Sequence, residues 1–387
     1  MAFPVNKFKE IETPFYYYDL DLLRATLSEI GANVAGTPFK VHYAIKANAN
    51  KRILTAINEA RLGVDCVSGG ELKAALDAGF EARKIVFAGV GKTDREITLG
   101  IQNGIQCFNV ESIPEMEVIN EIAAQKGKTA NVAIRVNPNI DAHTHKYITT
   151  GLSENKFGIN LAQLDDVVDK ALAMSNIRLT GLHFHIGSQL LDFEPFIMLC
   201  HKANELQDSL ESRGITLKSI NVGGGLGVDY TDPDANPIPR FKDYFDIFKK
   251  HMNLRQSQEL HFELGRSVVA QCGSLITRVT FVKEGTVKKF AIVDAGMTDL
   301  IRPALYQAHH KIENISSEAA SLDTYDVVGP VCESSDCFGT GETLAATQRG
   351  DLLALRSAGA YGEIMASRYN CRDLPRAVYS DEICTNL

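Results

Sequence analysis

Short apolar or β-branched runs alternate with amphipathic stretches over most of the chain, and this alternation is its strongest structural signal. Eight runs before residue 270 read as strands: 40–45, 63–67, 84–88, 106–110, 131–136, 179–185, 219–222 and 260–264. Between them, apolar positions recur at helical spacing in 51–61, 71–78, 113–125, 161–173, 193–212 and 241–252. Strand and helix alternating in this way predict an α/β fold with a closed (β/α)8 TIM barrel; an open doubly wound sheet is the alternative. After residue 270 the long helices drop out, and runs at 275–282, 288–293, 325–328 and 351–357 predict a mostly antiparallel β-barrel or sandwich domain. The expected division is a barrel over residues 22–268 and a β domain made of 1–21 plus 269–387, its N-terminal strand coming from Pro14-Phe15-Tyr16-Tyr17-Tyr18-Asp19.

Composition narrows the function. The 387 residues carry a formal net charge of −8, so no broad basic surface is available to neutralise nucleic-acid phosphates or an anionic membrane, and a small-molecule partner is expected. The eight cysteines form no CxxC pair, which points to reduced thiols and to any reactive cysteine acting singly. The run Met1-Ala2-Phe3-Pro4-Val5-Asn6-Lys7 lacks a charged-then-apolar signal pattern and no apolar run is long enough to span a bilayer, so a cytoplasmic protein is expected.

In such a barrel, chemistry gathers at the C-terminal strand ends. Strand one ends at Lys46, which is either a solvated surface lysine or an amine able to form a Schiff base with a carbonyl. Strand two carries Asp65 and strand five Arg135; strand six runs through His183 and His185 to Ser188. Strand seven opens into Gly223-Gly224-Gly225-Leu226-Gly227, and strand eight ends Glu263-Leu264-Gly265-Arg266. A lysine, an acid, an imidazole, a glycine turn and an arginine at one mouth suit a phosphorylated aldehyde cofactor: backbone N–H groups for the phosphate, an amine for the carbonyl, a carboxylate for a pyridine nitrogen. Plainer readings stand beside these. The glycines make a tight turn in any case, and Glu263 could pair with Arg266. No metal is expected at the His183/His185 pair, because matching ligands are missing at other strand ends and His-x-His recurs at His143 and His145 in a loop.

Seven separated motifs carry a family likeness: Tyr43-Ala44-Ile45-Lys46-Ala47-Asn48, residues 183–188, 223–227 and 263–266, Asp294-Ala295-Gly296, Cys332-Glu333-Ser334-Ser335-Asp336, and Gly359-Ala360-Tyr361-Gly362. Together they resemble the fold-III, pyridoxal-phosphate-dependent amino-acid decarboxylases over nearly the whole chain. The resemblance implies an alanine-racemase-like barrel followed by a β domain, with pyridoxal 5'-phosphate held by Lys46 through a Schiff base. It further implies that His185 stacks on the ring, that Glu263 pairs with the ring nitrogen, and that Ser188, Gly223, Gly224, Gly225 and the backbone of Gly265 and Arg266 hold the phosphate. Tyr361 would also lie against the cofactor, with Asp65 and Arg135 supporting the ring. Arg266, Arg302 and Tyr306 match a substrate carboxylate clamp, Glu333 a residue that pairs with a substrate ammonium, Ser334 and Tyr361 further substrate contacts, and Cys332 the proton donor. In this family the cysteine loop enters a neighbouring subunit's site, so a homodimer with shared sites is implied.

The implied substrate is meso-2,6-diaminopimelate, decarboxylated to L-lysine. A second carboxylate needs a bidentate cation such as Arg302, whereas a decarboxylase for ornithine or a polyamine precursor such as carboxynorspermidine must recognise a distal amine instead, and arginine is a further alternative substrate. A barrel-fold racemase would have no role for the Cys332 loop, and a non-catalytic homologue could dispense with Lys46 and Cys332. One departure from the family pattern is Leu264, where proline is usual. Residues 154–158 sit where a mobile strand-to-helix loop over the site is expected.

Overall fold

The computed structural model describes residues 3–140 and 156–384, and the chain divides into two compact units. The first comprises Leu27–Gly227 and Arg240–Gly265. Its eight parallel strands are Phe39–Ala44, Gly63–Cys66, Ile85–Phe87, Cys107–Val110, Ala130–Asn137, Ile177–His183, Ser219–Asn221 and Glu259–Leu264. Each pairs with the next, and the last returns to the first in the register Leu264 to Tyr43, so the barrel is closed. Almost every strand residue is buried, because helices cover the outer face and side chains fill the inner one. A cluster of rings around Phe262 (Phe39, Tyr244, Phe245 and Phe248, centroids 5.0–5.8 Å away) seals strand eight to the helix Phe241–His251. Each such ring stabilises by about 1.5–3 kcal/mol through burial.

The helices begin where side chains can satisfy their first N–H groups. Asn50, Ser68 and Ser112 accept from the first turns of Lys51–Glu59, Gly69–Asp77 and Ile113–Gln125, each worth about 1 kcal/mol. Thr93 and Glu96 form a reciprocal capping box at the start of Asp94–Asn103, a helix the apolar spacing did not predict. Two strand ends differ from expectation in ways that matter for the site. The first strand stops at Ala44, and Ile45–Ala47 forms a 3-10 turn that carries Lys46. The sixth stops at His183, so His185 lies beyond the strand and its ring is not bound to the same face as that of His183.

The second unit comprises Met1–Thr26, Val228–Pro239 and Arg266–Leu387, so the segment after the glycine turn, which the pattern assigned to the barrel, packs here. Its spine is the 12-residue strand Gly273–Glu284. One half of this strand pairs antiparallel with Phe15–Tyr18 and Leu352–Leu355, the other with Lys289–Val293. Leu322–Val328 joins parallel to Lys289–Val293 and antiparallel to Cys337–Ala345, while Arg376–Tyr379 runs parallel to Phe15–Tyr18 and Ile312–Asn314 edges Leu352–Leu355. Phe8, Phe15, Tyr17, Ile276 and Val378 form an apolar core. Among the described residues no helix is long and apolar enough to cross a membrane. His143, His145, Glu154 and Asn155 lie outside the described residues.

Candidate active site

At the mouth of the barrel, Lys46 Nζ stands 3.5 Å from Asp65 Oδ2, with 40% of the lysine side chain exposed and the aspartate fully covered. Burial, reinforced by the Glu263 charge and opposed by Lys46, pushes the Asp65 carboxyl up to about 7. Its Oδ1 is buried without a hydrogen-bond partner.

Glu263 is a buried charge held by three side chains. Asn109 Nδ2 and Asn221 Nδ2 donate to its Oε1 at 2.9 and 2.7 Å, and His183 Nε2 lies 3.0 Å from Oε2. A carboxylate only accepts, so these contacts place the proton of His183 on Nε2 and turn both amide NH2 groups toward the acid. Burial alone would raise the Glu263 carboxyl, but His183, Lys46 and His185 outweigh it and hold the group well below the usual range. His185 is also lowered, below the ordinary imidazole value, by burial and by Lys46 and Arg135. The Gly224 N–H donates to its Nδ1 at 3.3 Å, which assigns the remaining proton to Nε2.

The glycine turn is pressed against its neighbours. A Cβ on Gly224 would collide with the Glu263 carbonyl oxygen, and Gly223 needs φ +69° beside the Phe184 carbonyl. Two of its donors are already used internally: Gly223 N–H bonds to Asn221 Oδ1 at 2.9 Å and Gly224 N–H to His185. That narrows the backbone donors open to an anion toward Gly225. Arg135 is spent on Glu111, at 2.7 Å, and stacks on Phe157 at 4.7 Å; Glu111 also accepts from Gly158 N–H at 2.7 Å. Leu264, where proline was expected, is buried and in strand register with Tyr43.

The β unit gathers a second constellation. Arg266 and Arg302, both buried, donate through Nη1 to one oxygen, the Tyr230 hydroxyl, at 2.7 and 3.0 Å. Arg302 lies over the Tyr230 ring at 4.9 Å and Arg266 over the Tyr361 ring at 4.9 Å. His310 bonds through Nδ1 to the Arg356 carbonyl at 2.8 Å, so Nδ1 carries the hydrogen and Nε2 accepts from Arg302 at 2.9 Å. Burial and Arg302 lower His310 to about 3, which keeps it a neutral acceptor. Burial would raise the Tyr230 phenol; the two guanidinium groups outweigh it and lower it. Tyr361 holds its ring at φ +56°, a strained conformation for an aromatic residue. Tyr306 closes the five-residue helix that Arg302 opens. The stretch Cys332–Ser335 is exposed; Asp336 at its base accepts from Met297 N–H at 2.6 Å and Val331 N–H at 2.7 Å, and Tyr369 donates to Glu333 at 2.7 Å.

A sequence profile described as pyridoxal-dependent decarboxylase, pyridoxal binding domain, matches residues 21–270. A diaminopimelate decarboxylase of Bacteroides thetaiotaomicron is 63% identical over 98% of this chain and 99% of its own length. The chain belongs to the diaminopimelate decarboxylase family. The enzyme of that name from Neisseria meningitidis serogroup A is 43% identical over 95% of this chain and 90% of its own. The crystal structure of an I148L variant of the Helicobacter pylori diaminopimelate decarboxylase, complexed with L-lysine, superposes with TM-score 0.92 at 40% identity, covering 98% of this chain and 94% of that one.

Within the family frame, the barrel brings together Lys46, Asp65, His185, Gly223, Gly224, Gly225 and Glu263, while the β unit brings together Arg266, Arg302 and Tyr361. Sequence reasoning missed Asn109, Asn221, Tyr230 and His310. The asparagines interrupt apolar strands, a pattern that marks an inward polar group; Tyr230 and His310 lie in loops and carry no comparable mark.

Proposed function

We propose that this chain catalyses the pyridoxal 5'-phosphate-dependent decarboxylation of meso-2,6-diaminopimelate to L-lysine and carbon dioxide, the last step of lysine biosynthesis. The observation that carries the reading is the Glu263 carboxylate, buried, ionised and three-quarters saturated by two asparagine amides and His183, in a barrel whose mouth also presents a lysine amine. The residues fit the cofactor on further counts. A glycine turn too tight for any Cβ lies against Glu263, and a buried Asp65 oxygen lacks a partner.

When bound, the cofactor supplies an electron sink conjugated to the substrate Cα. Lys46 is the amine that would hold it covalently. Glu263 would accept the ring N–H and keep that proton on nitrogen, which would strengthen the sink. His185, neutral, offers a ring face, while Asp65 and Arg135 shape the electrostatics around Lys46 and Phe157. Ser188, the Gly223 to Gly225 turn and the Gly265-Arg266 backbone would hold the phosphate, with the Gly225 N–H as a turn donor. Arg302 and Arg266 receive a substrate carboxylate in place of the Tyr230 hydroxyl, aided by Tyr306 and Tyr361. Glu333 meets the distal ammonium, Ser334 lies beside it, and the Cys332 thiol delivers the proton to Cα once the carboxylate has left.

Exposure of the whole Cys332–Ser335 stretch supports a homodimer in which this loop completes the partner's site. The bound L-lysine of the Helicobacter pylori relative supports the substrate assignment. The test is carbon dioxide release from meso-diaminopimelate, ornithine, arginine, lysine and carboxynorspermidine, run beside borohydride capture of the cofactor. The reading requires capture at Lys46 and a clear preference for meso-diaminopimelate. Equal or faster release from ornithine overturns the substrate, and no capture overturns the enzyme. Replacing Cys332 with alanine is expected to slow turnover with capture intact; an unchanged rate removes the thiol from the mechanism.

A further inference from the structure

We infer that Asn109 and Asn221 are positioning residues that hold Glu263 as a carboxylate with one acceptor position left for a ring N–H. The inference rests on the cofactor assignment above and concerns how this chain prepares its acid for that group.

A carboxylate offers about four lone-pair positions. Asn109 and Asn221 occupy both positions on Oε1 and His183 occupies one on Oε2, so a single position on Oε2 remains. The choice of amides is chemically specific. An arginine or lysine in either place would neutralise the acid and weaken its pull on a ring proton. A hydroxyl would give a donor free to rotate away. An amide donates without charge, does not titrate, and leaves the full negative charge for the ligand.

Both asparagines are buried, and the geometry shows hydrogen bonding rather than space filling. Asn221 uses both ends of its amide: Nδ2 on Glu263 and Oδ1 on the Gly223 N–H. A flip of that amide would break both contacts, so its orientation is locked. It also links the start of the glycine turn to the acid through one side chain. Behind the two amides lies a cavity of about 150 Å³, lined also by Cys107, Asn131, Thr180 and His261.

The test uses holoenzyme carrying cofactor labelled with 15N in the ring, for wild type, Asn109→Ala, Asn221→Ala and the isosteric Asn109→Asp. Loss of one donor to a buried charge is expected to raise the proton affinity of Glu263 by roughly tenfold to a hundredfold, moving the acid limb of kcat up by about one to two pH units. The ring-nitrogen resonance moves toward its unprotonated position, kcat falls, and KM stays within about twofold. Asn109→Asp keeps the shape, sets a second carboxyl against Glu263, and is expected to move the limb furthest; it serves if an alanine variant fails to fold. Ring-nitrogen resonances and kcat profiles that superpose on wild type overturn the inference. Borohydride capture at Lys46 in every variant separates that outcome from failure of the cofactor reading itself.

Discussion

Glu263 in the barrel and Arg302 in the β unit are both buried charges, and the two units stabilise them differently. Glu263 is fixed by short side chains standing on three other barrel strands, with bonds of 2.7–3.0 Å. Arg302 opens a five-residue helix and is held by a hydroxyl, a neutral imidazole and the face of a ring, groups that come from irregular segments. The two amides at Glu263, and the hydroxyl and imidazole at Arg302, carry no formal charge, so they leave the buried charge for a ligand. The difference lies in rigidity. Strand-mounted donors define one acceptor position closely, whereas stacked guanidinium groups can trade one oxygen for another. Under the proposed function the rigid site does the chemistry common to the wider family, and the adaptable one chooses the substrate.

The sharpest way to break this comparison is to remove the anion. Glu263→Gln keeps the shape and is expected to lower kcat by roughly a hundredfold to a thousandfold with little change in KM, read in steady-state carbon dioxide release. Arg302→Met strikes the other side. It is expected to lower kcat/KM for meso-diaminopimelate by roughly ten- to a hundredfold, mostly through KM, because a charged hydrogen-bonding partner of a substrate carboxylate is lost. If Arg302→Met instead lowers kcat alone, the division of labour between the units fails.

Tyr230→Phe sharpens the picture more gently, with KM expected to change by roughly tenfold or less. Spectroscopy gives a separate reading. The wild-type protein should contain one tyrosine that ionises below the ordinary value, owing to Arg266 and Arg302, and ultraviolet tyrosinate absorbance should lose that step in the variant. The smallest effect expected is on stability. Burial raises Asp65 from 3.8 to about 7, so the folded protein holds that proton more tightly than the unfolded chain does. Its contribution is full below the unfolded value and is lost as pH rises through about 7. Asp65→Asn should therefore flatten the decline in melting temperature between about pH 4 and 7 in the cofactor-free protein, whereas an unchanged slope would show that Asp65 titrates normally. His310 works in the opposite sense: depressed from 6.5 to about 3, it costs stability as pH falls through that window.

How much of this could be read from the sequence depended on where each residue sits. The barrel, Lys46 and Glu263 were legible because strand ends are marked by a change from apolar run to polar or glycine-rich turn. Asn109 lies between Phe108 and Val110, and local sequence alone cannot say which distant acid its amide will meet. Tyr230 was hidden for another reason: Val228–Pro239 follows a barrel strand in sequence but packs with the β unit, a choice made by long-range contacts such as Lys311 N–H to the Tyr230 carbonyl at 3.2 Å. The strand Cys337–Ala345, rich in glycine and threonine, shows no apolar alternation and is defined by pairing with Leu322–Val328. Asp94–Asn103 did carry a signature in Thr93 and Glu96, but its buried face is only Ile97, Gly100 and Ile101, too narrow a stripe for periodicity to detect.

The bonds to Glu263 also bear on how the barrel comes together. Its donors lie 154, 80 and 42 residues away along the chain, at Asn109, His183 and Asn221. Closing loops of that length is slow compared with forming a helix or a hairpin, and the acid cannot collect all its donors until strands four, six, seven and eight are in register. Until then Glu263 must stay in water, because burying it with fewer partners would be unfavourable. The carboxylate thus reports on ring closure: a kinetic probe at Glu263 should mature with the last barrel contacts, after the helices and the early strand pairs have formed.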